Sequence, residues 1–92
     1  MNFVWNEEKS EINYRKHHVS FEVAMYVFLD NNRVEVYDQK HSTVIEDRYI
    51  TIGYVENVPL FVVYTTADEQ TVRIISARKA LKVEVGKYYQ KK

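Results

Sequence analysis

"RYITIGYVENVPLFVVYTTADEQTVRIISA", residues 48 to 77, is the stretch that decides the fold. Over 48–55, Ile50 and Ile52 alternate with Tyr49 and Thr51, the two-residue period of a strand whose faces differ. Glu56-Asn57 reads as a turn, 59–66 as a second strand, "ADEQ" (67–70) as another turn and 71–77 as a third strand. The last two are almost continuously apolar, as central strands covered on both faces tend to be.

Working outward, "RVEVYD" (33–38) alternates Val34 and Val36 with Glu35 and Tyr37 and adds a fourth strand. Upstream the period lengthens to that of helices. "FVW" (3–5) is a short strand, Asn6 an N-cap, and Glu7 and Glu8 sit where a helix dipole favours acids. That helix ends near His17-His18, and Ser20 caps a second one carrying Phe21, Ala24, Met25 and Phe28 at helical spacing. Asp30-Asn31-Asn32 breaks it. Downstream, 78–90 reads as a helix with Leu81 and Val85 on one side, weakened by Gly86 by about 1 kcal/mol relative to alanine. The expected fold is α+β, ordered β-α-α-β-β-β-β-α: a mainly antiparallel twisted sheet, helices packed on one face, the other face partly open. One domain over residues 1–92 is expected.

Composition narrows the function classes. At 46% hydrophobic and 28% charged the chain is globular rather than disordered. No apolar run is long enough to span a bilayer and no signal-peptide layout opens the chain, so the cytoplasm is the expected compartment, with no membrane partner. Without cysteine there is no disulfide framework, thiol nucleophile or zinc-thiolate site. Net charge is zero, yet residues 1–47 carry −4 and residues 48–92 carry +4, so the carboxyl-terminal half can present a local anion-binding face.

Arg73 falls between Val72 and Ile74, which alternation places on the opposite face. If those two meet the helices, Arg73 lies on the open face, which Tyr49 and Tyr64 could share. Arg78 stands where the strand is expected to end. Two guanidiniums beside aromatic rings suit a phosphodiester, with bidentate contacts to phosphate and a base stacked on tyrosine. The plain alternative is that Arg73 pairs with an acid such as Glu35. His41, in an apparent loop before Ser42, is a general acid or base, or a solvated loop histidine. His17 and His18, beside Arg15 and Lys16, add positive charge or cap a helix end. Asp38 and His41 could share a metal but lack a third ligand at a diagnostic spacing, so no metal or other cofactor is expected. Neither a Gly-rich phosphate loop nor Gly-x-Ser-x-Gly is present.

Three blocks, "FVWNEEKSEINYRKHHVSFEVA", "HSTVIEDRYITIG" and "VVYTT" with "VRIISARKA", together resemble the BrnT family, toxins of type II toxin-antitoxin modules. The resemblance runs along essentially the whole chain. It implies a fold like that of the RelE and ParE toxins and a metal-independent ribonuclease that blocks translation and is neutralised by a BrnA-like antitoxin in a hetero-oligomer. The family's Lys-His falls on Lys16 and His17, its His-Ser on His41 and Ser42, its Glu-x-Arg on Glu46 and Arg48, and its Arg-Ile-Ile-Ser-Ala-Arg on Arg73 through Arg78. Departures are His18, where glycine is usual, Ala67, where arginine is frequent, and an arginine-poor final helix.

Metal-free RNA cleavage needs a base for the ribose 2′-OH, cations for the charge building on phosphate, and an acid for the leaving oxygen. Arg73 and Arg78 are expected to clamp the phosphate with Arg48 beside them. His41 or Glu46 would transfer protons, and Lys16, His17, Tyr64, Lys79 and Lys82 would hold RNA. The rival expectation is a catalytically weak binding module whose sheet face docks an antitoxin or another protein such as DNA gyrase.

Overall fold

A computed structural model describes residues 1–90; Lys91 and Lys92, part of the cationic tail and of the expected 1–92 domain, lie outside the described residues. In chain order the elements are β1 (Asn2–Val4), α1 (Glu7–His17), α2 (Phe21–Ala24) continuing as a 3₁₀ segment (Met25–Leu29), β2 (Val34–Tyr37), β3 (Tyr49–Val55), β4 (Val58–Asp68), β5 (Thr71–Lys79) and α3 (Lys82–Gln90). This is the expected order. The sheet runs β1-β5-β4-β3-β2, which puts the most apolar strands in its middle. It is mixed: β1 pairs parallel to β5, and every other pairing is antiparallel.

Local chemistry sets the helix ends. The Asn6 side chain accepts from Lys9 N at 3.0 Å and Ser20 Oγ accepts from Val23 N at 3.1 Å, so both expected N-caps operate. α1 stops at His18, whose φ of 61° is the left-handed conformation that glycine adopts most easily. The final helix starts later than expected, because β5 continues through Lys79 and Leu81 lies outside the helix, exposed.

α1, α2 and the 3₁₀ segment cover one face of the sheet. There Val19, Phe21, Ala24 and Val27 pack against Leu60, Val62, Tyr64, Val72, Ile74 and Ala77. Gly53 of β3 lies under the 3₁₀ segment, where a Cβ would meet Arg33 Cβ at 2.9 Å and a Val27 methyl at 3.0 Å. A close approach of backbone to helix needs glycine here.

Two expectations about faces are corrected. Tyr49 and Tyr64 are cross-strand partners, and Tyr64 also pairs with Ile74, so both rings lie on the helix-covered face and not beside Arg73. Phe28 sits edge-on to the Tyr64 ring at 5.0 Å. Glu35 and Thr51 share that face, while Val34, Val36, Ile50 and Ile52 point to the other. Finally, the helices do not all pack on one face. Tyr54, next to Gly53 and therefore turned away from α2, packs edge-on to Tyr88 and Tyr89 of α3 at 5.1 and 6.5 Å. Tyr88 Oη also donates to Asp30 Oδ2 at 2.9 Å, tying α3 around the edge of β3 that β2 leaves unpaired.

Candidate active site

A β-bulge builds the cationic face. Five residues separate Arg73 from Arg78, an odd number that would send them to opposite faces of a regular strand. Val63 pairs with Ser76 and Tyr64 with Ile74, so Ile75 is an extra residue and the alternation resets. Arg73 opposite Thr65 and Arg78 opposite Phe61 consequently share the face away from α1 and α2.

Their environments differ. Arg78 lies 4.0 Å over the Phe61 ring and donates twice to Glu84 of α3, from both terminal nitrogens at 2.8 Å. Hydrogen bonding from Arg78 holds the Glu84 carboxyl below the usual carboxylate range, against the opposing effect of burial. Arg73 is exposed and has no ion-pair partner among the described residues. Glu35, weighed as its partner, pairs with Arg33 at 3.0 Å on the other face. The facing residues Thr65 and Phe61 are four apart on β4, so the two arginines stand roughly 13 Å apart along the sheet, and Arg78 is held by Glu84 while Arg73 is not.

Arg48, not Arg78, lines a cleft together with Arg73. The loop 38–48 folds over the same face and is fixed by short-range bonds from polar side chains. Ser42 Oγ accepts from Arg48 N at 2.8 Å and donates to Asp38 O at 2.7 Å. Thr65 Oγ1 donates to Asp47 O at 2.6 Å, fastening the loop to β4. Arg48 Nε then donates to Glu46 Oε1 at 2.9 Å. A cleft of about 420 Å³ opens here, lined by Trp5, Asn6, Lys9, Glu46, Arg48 and Arg73 among others. Arg73 and Glu46 also line an adjoining cleft with Asp47, Thr66 and Ala67. Ala67, where the resemblance implied an arginine, lines this second cleft and offers it only a methyl group.

His41 is an exposed loop residue, as expected, and it has a fixed partner. Its Nδ1 lies 2.9 Å from Oδ2 of Asp38, a buried carboxylate whose Oδ1 also accepts from His41 N at 3.2 Å. The supposed metal pair is a hydrogen-bonded dyad, and among the described residues no cluster of three His, Cys, Asp or Glu could hold a metal ion. The carboxylate orients the ring and favours a proton on Nδ1, leaving Nε2 to face solvent. His41 lines neither cleft around Arg73.

The remaining sequence-predicted residues lie apart. Lys16 and His17 close α1 about 10 Å beyond Lys9, which lies in its first turn. Lys79 is opposite Leu60, so alternation turns it from Arg78 to the other face, and Lys82 opens α3. The Tyr64 hydroxyl is engaged by Glu35, and burial followed by that hydrogen bond pushes its pKa well up. Trp5 and Lys9 escaped sequence reasoning, as did Asn13. The Asn13 amide donates to Ala77 O at 2.8 Å and accepts from Ala77 N at 3.2 Å, standing in for a strand along β5 beyond the end of β1. An asparagine in a helix interior was the available signal.

The family model for the ribonuclease toxin BrnT of type II toxin-antitoxin systems matches residues 5–84. The chain belongs to the BrnT family. A crystal structure of the Brucella abortus ribonuclease toxin BrnT superposes with a TM-score of 0.67 at 23% identity, covering 89% of this chain and 99% of that one. At that identity the likeness concerns the fold, and it joins a mixed sheet and three helices to the BrnT architecture. No curated protein matches the chain. As a BrnT toxin of a type II module, the chain is one whose family works against an antitoxin partner. No helix among the described residues is long and apolar enough to cross a membrane.

Proposed function

We propose that this chain, residues 1–92 acting as one domain, is a cytoplasmic endoribonuclease toxin that cleaves RNA without a metal, arrests translation and is silenced by a BrnA-like antitoxin. The observation that carries the reading is Arg73: an exposed guanidinium with no ion-pair partner among the described residues, lining two clefts together with Glu46 and one of them with Arg48. An arginine left unpaired in this way is available to a phosphate, which it binds bidentately.

In the reaction Arg73 and Arg48 take up the charge that develops on the non-bridging oxygens. Glu46 accepts the 2′-hydroxyl proton. It is preferred to His41 for this step because it lines both clefts next to Arg73, whereas His41 lines neither. The leaving oxygen takes its proton from water, because His41, outside both clefts, stands apart from a phosphate held at Arg73. The 2′-oxygen then attacks phosphorus as the 5′-oxygen departs, leaving a cyclic phosphate.

Expression of the chain alone tests this. Growth should stop and cellular RNA should fragment, and both effects should disappear with Arg73→Ala. Equal toxicity from the variant removes Arg73 from the mechanism.

Three observations favour the rival, a docking module with little chemistry. Arg78 is occupied by Glu84, Ala67 brings no cation, and Val44 and Ile45 are almost fully exposed at the loop tip, as partner contacts are. A purified chain that leaves RNA intact but forms a stable complex with the product of the adjacent gene would establish it.

A further inference from the structure

The cleft beside Arg73 contains two side chains that the cleavage scheme does not use, Trp5 and Lys9. They reach it from the junction of β1 and α1, four residues apart across the Asn6 cap. Trp5 is held in place before any ligand arrives: its Nε1 donates to Glu7 Oε1 at 3.0 Å, and its ring packs edge-on against Phe21 at 6.4 Å. A fixed aromatic face loses little freedom when a base stacks on it. The Lys9 ammonium is exposed and has no ion-pair partner among the described residues. Of the charged groups lining the cleft, Lys9, Arg48 and Arg73 are positive and Glu46 is negative, leaving two positive charges in excess. A volume of about 420 Å³ falls in the range of small-ligand sites. The α1 terminus itself is not the anion site, because the Asn6 side chain already serves Lys9 N and Glu7 and Glu8 occupy the first turn.

We infer that Trp5 and Lys9 form a nucleotide subsite for single-stranded RNA next to the reacting phosphate, Trp5 carrying a base and Lys9 the neighbouring phosphate. The inference rests on the ribonuclease reading only for the identity of the ligand. Its occupant is unpaired RNA, because a paired base has no face free to stack on an indole. Trp5 and Lys9 select and position the strand, while Arg73, Arg48 and Glu46 act on it.

Trp5 is the sole tryptophan, so the chain reports on this cleft by itself. The probe is a randomised 2′-O-methyl hexaribonucleotide, which lacks the nucleophile and cannot be cleaved. Intrinsic fluorescence should be quenched saturably as it is added. Lys9→Ala should weaken binding several-fold and lower the slope of log affinity against log salt by about 0.7. Lys9→Arg should restore both, and the control Lys87→Ala, one charge removed from exposed α3, should change neither. Unchanged fluorescence from a preparation that still cleaves RNA overturns the subsite and leaves the nuclease standing. Quenching sensitive to Lys9 without cleavage supports the subsite and sinks the nuclease. Absence of both rejects the two together.

Discussion

The two faces of the sheet each carry an arginine, and the proteins' use of them is opposite. On the helix-covered face Arg33 is surrounded: it bonds Glu35 and Thr51 at 3.0 and 3.1 Å and lies 4.7 Å over the Phe28 ring. On the other face Arg73 is exposed and has no ion-pair partner among the described residues. Arg78 stands between these extremes, on the face of Arg73 but bound to Glu84. A matched arginine contributes to folding, and an unmatched one in a cleft is available to a ligand. Sequence position says little about which is which, since all three lie in or beside strands.

Substitutions can break this contrast. The largest effect is expected from Arg73→Ala, which should lower RNA cleavage by about 10²–10³-fold while leaving thermal stability within about 0.5 kcal/mol. Cleavage assays and denaturant melts on one preparation separate the two. Arg33→Ala should do the reverse, destabilising by about 1–3 kcal/mol because Glu35 and Thr51 lose a partner, with cleavage by the folded fraction retained. Arg78→Ala should cost about 1 kcal/mol, read from urea midpoints, since its ion pair and ring contact are part-exposed, and should lower activity much less than Arg73→Ala. Comparable losses of activity from both would return Arg78 to the site.

Two smaller effects sharpen the picture. His18→Gly should raise stability by about 0.5–1 kcal/mol by relieving the left-handed backbone at the end of α1. An unchanged or lower midpoint would show that His18 is compensated by its edge-on packing with Tyr14. The second concerns pH. Burial raises the pKa of Glu35, but the hydrogen bonds from Tyr64 and Arg33 and the charge of Arg33 outweigh it and leave the carboxyl below its ordinary value of 4.5. A depressed folded-state pKa gives stability that is present above the unfolded value and lost as pH falls through the folded one. Tyr64→Phe should therefore shallow the acid limb of a stability-against-pH curve below about pH 4.5 and leave the neutral plateau's pH-independence intact. An unaltered limb would assign the acid sensitivity elsewhere.

Much of the fold was legible because its signals are local. The Asn6 and Ser20 caps, the break at Asp30-Asn31-Asn32, the turn at Glu56-Asn57 and the turn expected over 67–70, of which the strand takes Ala67 and Asp68, depend on residues within one turn of each other. The family was legible for the same reason, through short blocks in order. Strand alternation told that Val34, Val36, Ile50 and Ile52 share a face, but not which face the helices cover. On β2 and the start of β3 the apolar side is the one opposite α1 and α2, because beneath the helices Arg33 donates to both Glu35 and Thr51 and Tyr64 donates to Glu35. The parallel pairing of β1 with β5 joins residues about 70 positions apart, and no local pattern encodes it. Within the site, Arg48, Glu46 and Arg73 were named from sequence and do line one cleft. Lys9 and Trp5 were not, since nothing in their own neighbourhood marks them as cationic or aromatic lining.

The sequence by itself determined the order of elements, their caps and turns, the absence of thiol chemistry and the BrnT family, because each follows from residue types and short spacings. Tertiary structure decided which charges remain available. A single extra residue at Ile75 reversed the parity of β5 and brought Arg78 to the side of Arg73, and α3 then crossed to that side and supplied Glu84 to one of them. Whether a guanidinium is neutralised depends on a carboxylate within about 4 Å in space, and chain connectivity does not fix that distance.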